Sequence, residues 1–323
     1  MMKKTISQCM IVKNEEKNIR RALSWGKDIM CEQIVVDTGS SDRTVEIARE
    51  MGAKIFFFPW VNDFAAAKNF AIDQAKGDWI AFLDADESFT PEDAAKIPEI
   101  LEYVGDDVDG LLTGIVDLDE NNHITSGGTM IRFFVNRPDL RYVGKIHEHL
   151  VRKGESGLHL TDATKQLAFL HTGYQEQEKK DKSKFERNLN IILEILKQEP
   201  ENCDYLGYLG DTYSSDGKNE EARDAYKKAV AAMPEKLGVY DQRSSYTYTN
   251  LLRVSQCLNA PEAEVEAIYK EAVEKLPKEP DFDCVMGDWY WRKGQYEKAV
   301  QMYELAIACL LYTSPSPRDS TSS

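Results

Sequence analysis

The stretch that decides the fold is Gly77-Asp-Trp-Ile-Ala-Phe-Leu-Asp-Ala-Asp-Glu87. Its first part, Trp79–Leu83, is a short continuous apolar run, which predicts a β-strand that is buried on both faces. Directly after that strand come two carboxylates, Asp84 and Asp86. On an extended segment, side chains two residues apart point the same way, so this pair is predicted to hold one hard divalent cation through its oxygens.

The residues before this stretch alternate short apolar runs with helical patterns. We predict strands and helices at the following positions: strands 6–12, 33–37 and 54–58, and helices 15–25, 42–51 and 63–75. Such alternation is typical of βαβ units around a parallel sheet, whose ligands bind at the carboxyl ends of the strands. Two polar clusters, Asp37–Asp42 and Asp84–Glu87, follow predicted strands and therefore lie at that edge.

From about Leu111 to Leu170 the pattern changes to shorter strands that are broken by turns. We predict strands at 111–118, 129–136 and 167–170, which would turn the parallel sheet into a mixed one. The fold class is therefore α/β, with a mixed, largely parallel sheet in the first domain.

Beyond Gln175 the chain is helical and contains a repeat. One copy matches the spacing of the two packed helices of a tetratricopeptide repeat at Leu206, Leu209, Gly210, Tyr213, Ala222, Tyr226, Ala229 and Pro234. A second copy has Met286, Gly287, Tyr290, Ala299, Tyr303 and Ala306, and a weaker copy between them has Leu252, Tyr269, Ala272 and Pro277. Small residues allow the helices to approach and aromatic residues fill the gap. An unrelated amphipathic helical bundle is the alternative interpretation.

These patterns divide the 323 residues into three segments. We predict an α/β domain over 1–178, an all-α tetratricopeptide-like domain over 179–312 and a polar tail over 313–323. The Ser, Pro, Thr and Arg residues of the tail cannot bury a helix face. We interpret the tail as foreign sequence in place of a longer natural C-terminus.

The composition limits the class of protein. A net charge of -15 argues against a nucleic-acid binder, which normally has a basic footprint. The six cysteines are scattered without a CxxC pair, which predicts reduced thiols rather than a disulfide framework or a zinc site. The run Ile6–Val12 is too short and too polar for a signal peptide, and no apolar stretch is long enough for a transmembrane segment. We expect a cytoplasmic protein.

A second polar motif is Val35-Val-Asp-Thr-Gly-Ser-Ser-Asp42. Asp37 stands at the end of a predicted strand, where its carboxylate can accept a hydrogen bond from a nucleoside base or a ribose. Asp42 is better explained as the cap of the next helix, with Glu46 in the first turns of that helix.

Together these motifs resemble the family 2 glycosyltransferases, which have the GT-A fold. The resemblance covers roughly residues 5–175 and runs in order through Met10–Glu16, Val36–Asp42, Asp63–Phe70 and Gly77–Glu87. It implies a metal-dependent, inverting hexosyltransferase that uses a nucleoside-diphosphate sugar, expected to be UDP-linked, with Mn²⁺ or Mg²⁺ as cofactor.

The resemblance also assigns roles to individual residues of the donor site. It implies that Glu15 and Asp37 contact the nucleoside and that Lys68 lies near the base or the diphosphate. It places Asp84 and Asp86 at the sugar, the phosphate and the metal. The family commonly has arginine at the position of Lys68, and lysine keeps the charge but loses the planar fork of donors.

The candidate catalytic bases lie in the segment Tyr142-Val-Gly-Lys-Ile-His-Glu-His149. This segment is similar to the His-Glu segment of a subgroup that includes bacterial enzymes with helical repeats, among them peptide S-glycosyltransferases. We predict Glu148 as the base, with His147 as its competitor or partner. If the segment is a strand, His147 and His149 share the face opposite Glu148, so both cannot serve one site equally. The alternative is a polar strand end at the surface.

His171, within Phe169-Leu-His-Thr-Gly173, is the predicted third metal ligand beside Asp84 and Asp86. The resemblance places a histidine here in related enzymes, and a neutral imidazole can complete a carboxylate site for manganese. The alternative is a purely structural histidine.

Two further functions compete with a transferase whose repeats present a peptide, protein or saccharide acceptor or mediate self-association. The first is a repeat-mediated scaffold or adaptor with a vestigial catalytic domain, against which the intact pair of Asp84 and Asp86 argues. The second is a nucleotidyltransferase, but the N-terminus lacks the loop rich in Gly, Arg and Lys that such enzymes use.

Overall fold

A computed structural model describes residues 4–172, 182–238 and 241–313 of the chain. The chain forms two compact units, residues 1–182 and 183–323. Apart from residue 313, the predicted polar tail lies outside the described residues. In the described part of the chain, no helix combines the length and the apolar character that crossing a membrane requires.

The first unit is built around one mixed sheet and a two-stranded ribbon. Its strands, in chain order and within the described residues, are β1 Ile6–Val12, β2 Glu32–Asp37, β3 Lys54–Phe57, β4 Trp79–Phe82, β5 Glu87–Phe89, β6 Gly110–Leu118, β7 Ile124–Val135, β8 Leu140–Val143, β9 His149–Arg152, β10 Leu160–Asp162 and β11 Ala168–His171. The sheet order is β3-β2-β1-β4-β7-β6-β11-β5, with β10 also paired to β6. The ribbon consists of β8 and β9.

Parallel pairing dominates this sheet. β3, β2, β1 and β4 are parallel to their neighbours, and β10 and β11 are parallel to β6. β7 is antiparallel to both β4 and β6, and β5 is antiparallel to β11. The predicted mixed, largely parallel sheet is therefore confirmed.

Helices cover both faces of the sheet, as buried strands require. They are α1 Ile19–Ser24, α2 Thr44–Glu50, α3 Phe64–Asp73 and α4 Pro91–Tyr103. α4 packs Ile97 and Leu101 into one core cluster, while α3 packs Ala71 and Ile72 into another. The first two helices are shorter than predicted, because turns precede them. α4 was not among the predicted helices; it begins at a Thr90 cap followed by proline.

β7 lies between two strands along only part of its length. It pairs with β6 from Ile124 to Phe134, whereas β4 pairs only with Phe133–Val135. The register shifts between the pairs Leu111–Phe133 and Leu112–Ile131, so Arg132 is an extra residue on β7. Such a β-bulge bends the strand and redirects the side chain of the extra residue. The prediction that this strand begins at Thr129 was wrong, because the exposed polar half from Ile124 lacks an apolar signal.

The second unit consists of helices that pack in consecutive pairs. In the described residues they are α5 Lys182–Gln198, α6 Cys203–Ser215, α7 Asn219–Ala232, α8 Gln242–Cys257, α9 Glu262–Lys275, α10 Asp281–Arg292 and α11 Tyr296–Thr313. The repeat predicts three pairs of packed helices, and the structure has them as α6–α7, α8–α9 and α10–α11. This confirms an all-α, tetratricopeptide-like domain.

Two equivalent glycines explain how the paired helices approach. A Cβ on Gly210 would lie 2.4 Å from the ring of Tyr226, and one on Gly287 would lie 2.6 Å from the ring of Tyr303. The glycine on the first helix of each pair therefore makes room for the aromatic ring on the second.

We expect Gly210→Ala to destabilise the repeat unit by about 1–3 kcal/mol, because the added methyl group overpacks against the buried ring of Tyr226. The measurement is the urea midpoint, with hydrogen exchange of α6 and α7 to locate the loss. Gly238→Ala is the matched control, since nothing lies within 4 Å of its added Cβ. Equal midpoints for the two variants would contradict this explanation.

Candidate active site

The segment Asp84–Asp86 forms a turn directly after β4. The Glu87 amide donates to the Asp84 carbonyl over 3.1 Å, and the Asp84 amide donates to the Glu87 carboxylate over 3.0 Å. The prediction that both aspartates share the direction of an extended segment is therefore wrong, because the turn separates their partners. Asp84 contacts two cations, whereas Asp86 contacts a histidine.

Asp84 lies between Lys68 and Arg132. The Lys68 Nζ is 3.7 Å from Asp84 Oδ1, and the Arg132 Nη2 is 3.4 Å from Asp84 Oδ2. The side chains of Lys68 and Arg132 are only 6% and 7% exposed, while that of Asp84 is 41% exposed. Although burial alone would raise the pKa of Asp84, the two cations lower it below its ordinary value. An ionised carboxylate is thus fixed from two sides and accessible to a ligand.

Lys68 is positioned by α3, which begins at Asp63. The Asp63 carboxylate accepts a hydrogen bond from the Ala66 amide over 2.8 Å and caps the helix. The Lys68 ammonium lies 5.0 Å from the ring centroids of both Phe82 and Tyr142. Burial lowers the pKa of Lys68, but the nearby carboxylates outweigh this effect and raise it. The amine is therefore a buried cation.

Arg132 is a site residue that the sequence analysis missed. The bulge in β7 directs its guanidinium to an ion pair with the Glu87 carboxylate, and its Nε is buried without a hydrogen-bond partner among the described residues. Burial raises the pKa of Glu87 to about 7, against the opposing effect of Arg132. In the sequence, the signal for Arg132 is that it is the single charged residue within the otherwise apolar run Ile131–Val135.

His171 lies at the end of β11, opposite Asp117 of β6. Its Nδ1 is 2.8 Å from Asp117 Oδ1, and its Nε2 is 3.4 Å from Asp86 Oδ2. The Ser126 hydroxyl donates to the other oxygen of Asp117. Burial lowers the pKa of His171, but the hydrogen bonds to Asp86 and Asp117 raise it to about 9. Asp117 and Ser126 were also missed, since neither belongs to a motif.

The His-Glu-His segment is not a continuous strand, because His147 lies in a bend and only His149 belongs to β9. The face argument based on a strand therefore does not apply. His147 has a left-handed backbone with φ of 53° and is exposed, as is His149. Glu148 is 14% exposed, and its Oε1 lies 2.7 Å from Lys68 Nζ. Of the three residues, the structure brings Glu148 to the cluster around Asp84.

Asp37 is the last residue of β2, and Glu15 follows the adjacent parallel strand β1. The Asp37 carboxylate, which is 5% exposed, accepts hydrogen bonds from the amides of Gly39 and Ser40, both over 3.1 Å. Glu15 accepts a hydrogen bond from the Asn18 side chain over 2.9 Å. These bonds fix both carboxylates at the strand edge where the parallel sheet binds ligands.

Asp42 has a structural role, but the prediction that it caps the next helix was wrong, because the N-cap of α2 is Arg43 and no side chain caps it. One carboxylate oxygen accepts from the Thr44 amide over 3.0 Å, and the other accepts from the Glu16 amide over 3.1 Å. It therefore holds the loop after β1 against the start of α2.

Comparisons with known proteins agree with this division of the chain. The family described as glycosyl transferase family 2 matches residues 7–151, and two tetratricopeptide repeat families match residues 205–235 and 285–317. The SPbeta prophage-derived glycosyltransferase SunS of Bacillus subtilis is 33% identical over 231 residues, which cover 70% of this chain and 53% of SunS. This chain thus matches about half the length of that relative.

A TPR repeat-containing protein of Synechococcus elongatus is 29% identical over 316 residues, which cover 94% of this chain and 75% of that protein. Among solved structures, Staphylococcus aureus TarS residues 1–349 with UDP-GlcNAc has a TM-score of 0.46 and 15% identity, over 80% of this chain and 93% of that chain. Glucosyl-3-phosphoglycerate synthase of Mycobacterium tuberculosis has a TM-score of 0.29 and 21% identity, over 36% and 44% of the two chains.

The motifs, the sheet and the family matches lead to one assignment. The four motif stretches that suggested the resemblance, from Met10 to Glu87, lie within the matched range, and the helical pairs at both ends of the repeat unit lie in the matched repeats. Residues 7–151 therefore form a domain of glycosyltransferase family 2, and tetratricopeptide repeats follow it in the same chain.

Proposed function

We propose that this protein transfers a hexose, with inversion, from a UDP-linked sugar to a nucleophile on a peptide, protein or saccharide. The observation that carries the proposal is the accessible Asp84 carboxylate between the buried cations Lys68 and Arg132. A carboxylate held in this way can accept hydrogen bonds from hydroxyl groups of the sugar donor without reorganisation. Fixed charges in a site of this kind contribute most to stabilising the departing diphosphate.

The transfer step requires one bond to form and one to break. The acceptor oxygen or sulfur attacks the anomeric carbon, the bond from that carbon to the β-phosphate oxygen breaks, and UDP leaves with the electron pair. Glu148 takes the acceptor proton in this proposal. Its position beside Lys68 supports this role over His147, which is exposed in the bend. The Lys68 ammonium forms an ion pair with Oε1 of Glu148 and thereby holds this carboxylate in place.

Asp86 and His171 fit a divalent cation as a carboxylate and imidazole pair. His171 would bind the cation through Nε2 after the cation displaces the proton of that nitrogen. Asp117 contacts Nδ1 and would orient the ring from outside the site. Within the described ranges, no group of three or more His, Cys, Asp or Glu side chains could hold a metal. Asp84, which was also predicted as a ligand, faces Lys68 and Arg132 instead. The other coordination positions would then be left to donor oxygens and water. A bound Mn²⁺ or Mg²⁺ would supply Lewis acidity toward the leaving diphosphate.

The alternative of a scaffold with a vestigial catalytic domain is disfavoured by the intact polar contacts. Asp86, His171, Asp117 and Ser126 form a continuous chain of interactions, which a scaffold would have no reason to keep. The repeats are then proposed to bind a protein partner or the acceptor.

We expect calorimetry to show UDP binding that requires Mn²⁺ and is lost in EDTA. Asp86→Asn should weaken Mn²⁺ binding in the presence of UDP by about 10–100-fold, because it removes an anionic ligand. Asp28→Asn, at an exposed position, is the control. Binding of UDP-sugars with equal affinity in EDTA would remove the metal from the proposal, and failure of every nucleotide-sugar would favour the scaffold.

Asp117→Asn tests whether the outer partner of His171 positions it for metal binding. We expect Mn²⁺ affinity, measured by electron paramagnetic resonance with UDP present, to fall by about 10–100-fold. Asp119→Asn, on the same hairpin, bonds only local groups around His123 and serves as the control. An unchanged Mn²⁺ affinity in a folded Asp117→Asn variant would show that Asp117 supports only the sheet.

Glu148→Gln should lower kcat by about 10²–10⁴-fold, because the amide cannot take the acceptor proton. The affinity for UDP should change far less than kcat, since the ion pair between Asp84 and Lys68 remains. His147→Gln provides the comparison and should lower kcat by less than about tenfold. Initial rates and UDP titrations on both variants separate these effects, and a larger kcat loss for His147→Gln would move the base to that residue.

A further inference from the structure

Within the part of the chain that the structure describes, the segment Ile124–Ile131 of β7 has a strand neighbour on one edge only. β6 pairs along this segment, whereas β4 pairs only with Phe133–Val135. β4 ends at Phe82, where the Asp84 turn leaves the sheet. Among the described strands, none pairs with the other edge of Ile124–Ile131, and every residue from Ile124 to Met130 is exposed. We call this second edge the open edge.

The direction of the main-chain groups on the open edge follows from the neighbouring strands. The Gly114 amide donates to the Leu167 carbonyl over 2.9 Å, so it points away from β7. Thr129 is the partner of Gly114 in the antiparallel ladder. Opposed residues in such a ladder either bond each other or both point outward. The N–H and C=O of Thr129 therefore face the open edge, as do those of Gly127 and Ile131.

The open edge lacks the usual protection against strand pairing. Exposed edges normally carry charged side chains, especially lysine, or proline. The sequence Ile124-Thr-Ser-Gly-Gly-Thr-Met-Ile131 contains neither. The adjacent glycines at 127 and 128 also leave both faces of the strand without side chains at that point. An unprotected edge is a liability in itself, so its presence indicates a use.

The open edge reaches the candidate donor site at one end, where Arg132 follows Ile131 and contacts Asp84. The contacts from Ser126 through Asp117 to His171 and Asp86 lead the other way, across β6 to β11. A strand that pairs with the open edge would therefore have one end beside Asp84.

We propose that the open edge binds the acceptor as an extended peptide that adds a strand to the sheet. This inference rests on the proposed sugar transfer and specifies its acceptor class. Main-chain hydrogen bonds would position the peptide, and a Ser, Thr or Cys side chain would deliver the attacking oxygen or sulfur. A saccharide or lipid lacks the regular N–H and C=O spacing that matches Gly127, Thr129 and Ile131.

The first test probes the peptide backbone with the wild-type protein. A panel of UDP-sugars with Mn²⁺ is offered to 13-residue peptides that have central Ser or Cys and randomised flanks. An accepted peptide is then resynthesised with single N-methyl groups at successive residues. Because alternate N–H groups of a paired strand face its partner, transfer should fall about tenfold at every second position and little between them. Loss without alternation would overturn strand pairing.

The second test removes one donor from the open edge. Thr129→Pro deletes an outward N–H without deleting a bond to β6. We expect the KM for the accepted peptide to rise about tenfold, with metal-dependent hydrolysis of the UDP-sugar as the report on the donor site. Glu120→Pro is the matched control, because it places proline in the turn of the same hairpin, where Asn122 donates to Asp119. Equal peptide KM values for the two variants would overturn the proposal.

The remaining outcomes separate this inference from the proposed function. If UDP-sugars are hydrolysed with Mn²⁺ but no peptide accepts sugar, the donor site stands and the open edge is not an acceptor site. If Thr129→Pro instead dissociates a wild-type dimer in sedimentation and leaves peptide transfer unchanged, the edge joins two copies and the proposal fails. If neither UDP binding nor hydrolysis occurs, the proposed function itself fails.

Discussion

The candidate site depends on one electrostatic constraint, which is the position of Asp84 between two buried cations. Lys68 and Arg132 are almost fully buried, and a buried charge is tolerated only where an opposite charge accompanies it. Removing one partner of such a pair typically costs about 3–5 kcal/mol. The carboxylates Asp84, Glu87 and Glu148 therefore neutralise buried cations of the fold, and Asp84 and Glu148 also act in the proposed chemistry. This shared requirement fixes the geometry of the site before a donor binds.

The interruption of the sheet beyond β4 makes this arrangement possible. Because β4 ends at Phe82, the turn with Asp84 leaves the sheet and β7 continues without that neighbour. The bulge at Arg132 lies at this transition and turns the guanidinium toward Asp84 and Glu87. The same interruption that exposes Asp84 to a donor also creates the open edge for the proposed acceptor. The candidate donor site and the proposed acceptor edge are thus two consequences of one short strand.

The glycosyltransferase domain and the repeats follow different packing rules. In the first unit, ionised side chains are held at the carboxyl ends of strands, where main-chain amides and cations are available to bind them. In the second unit, small residues on one helix make room for aromatic rings on the next, as Gly210 and Tyr226 show. The family matches fall on the same two regions.

The sequence by itself determined the features that arise from local pattern. Apolar runs and helix periodicity predicted the strands β1 to β4, the mixed sheet and the helical pairs. Motif order predicted the family and pointed to Asp84, Asp86 and Lys68 as candidate site residues. The sequence could not show that a turn separates Asp84 from Asp86. Nor could it show that Arg132 and Asp117 join the site, because each comes from a different strand without a motif. Those contacts depend on strand register and a β-bulge, which only the tertiary structure decides, since they result from long-range pairing rather than from neighbouring residues.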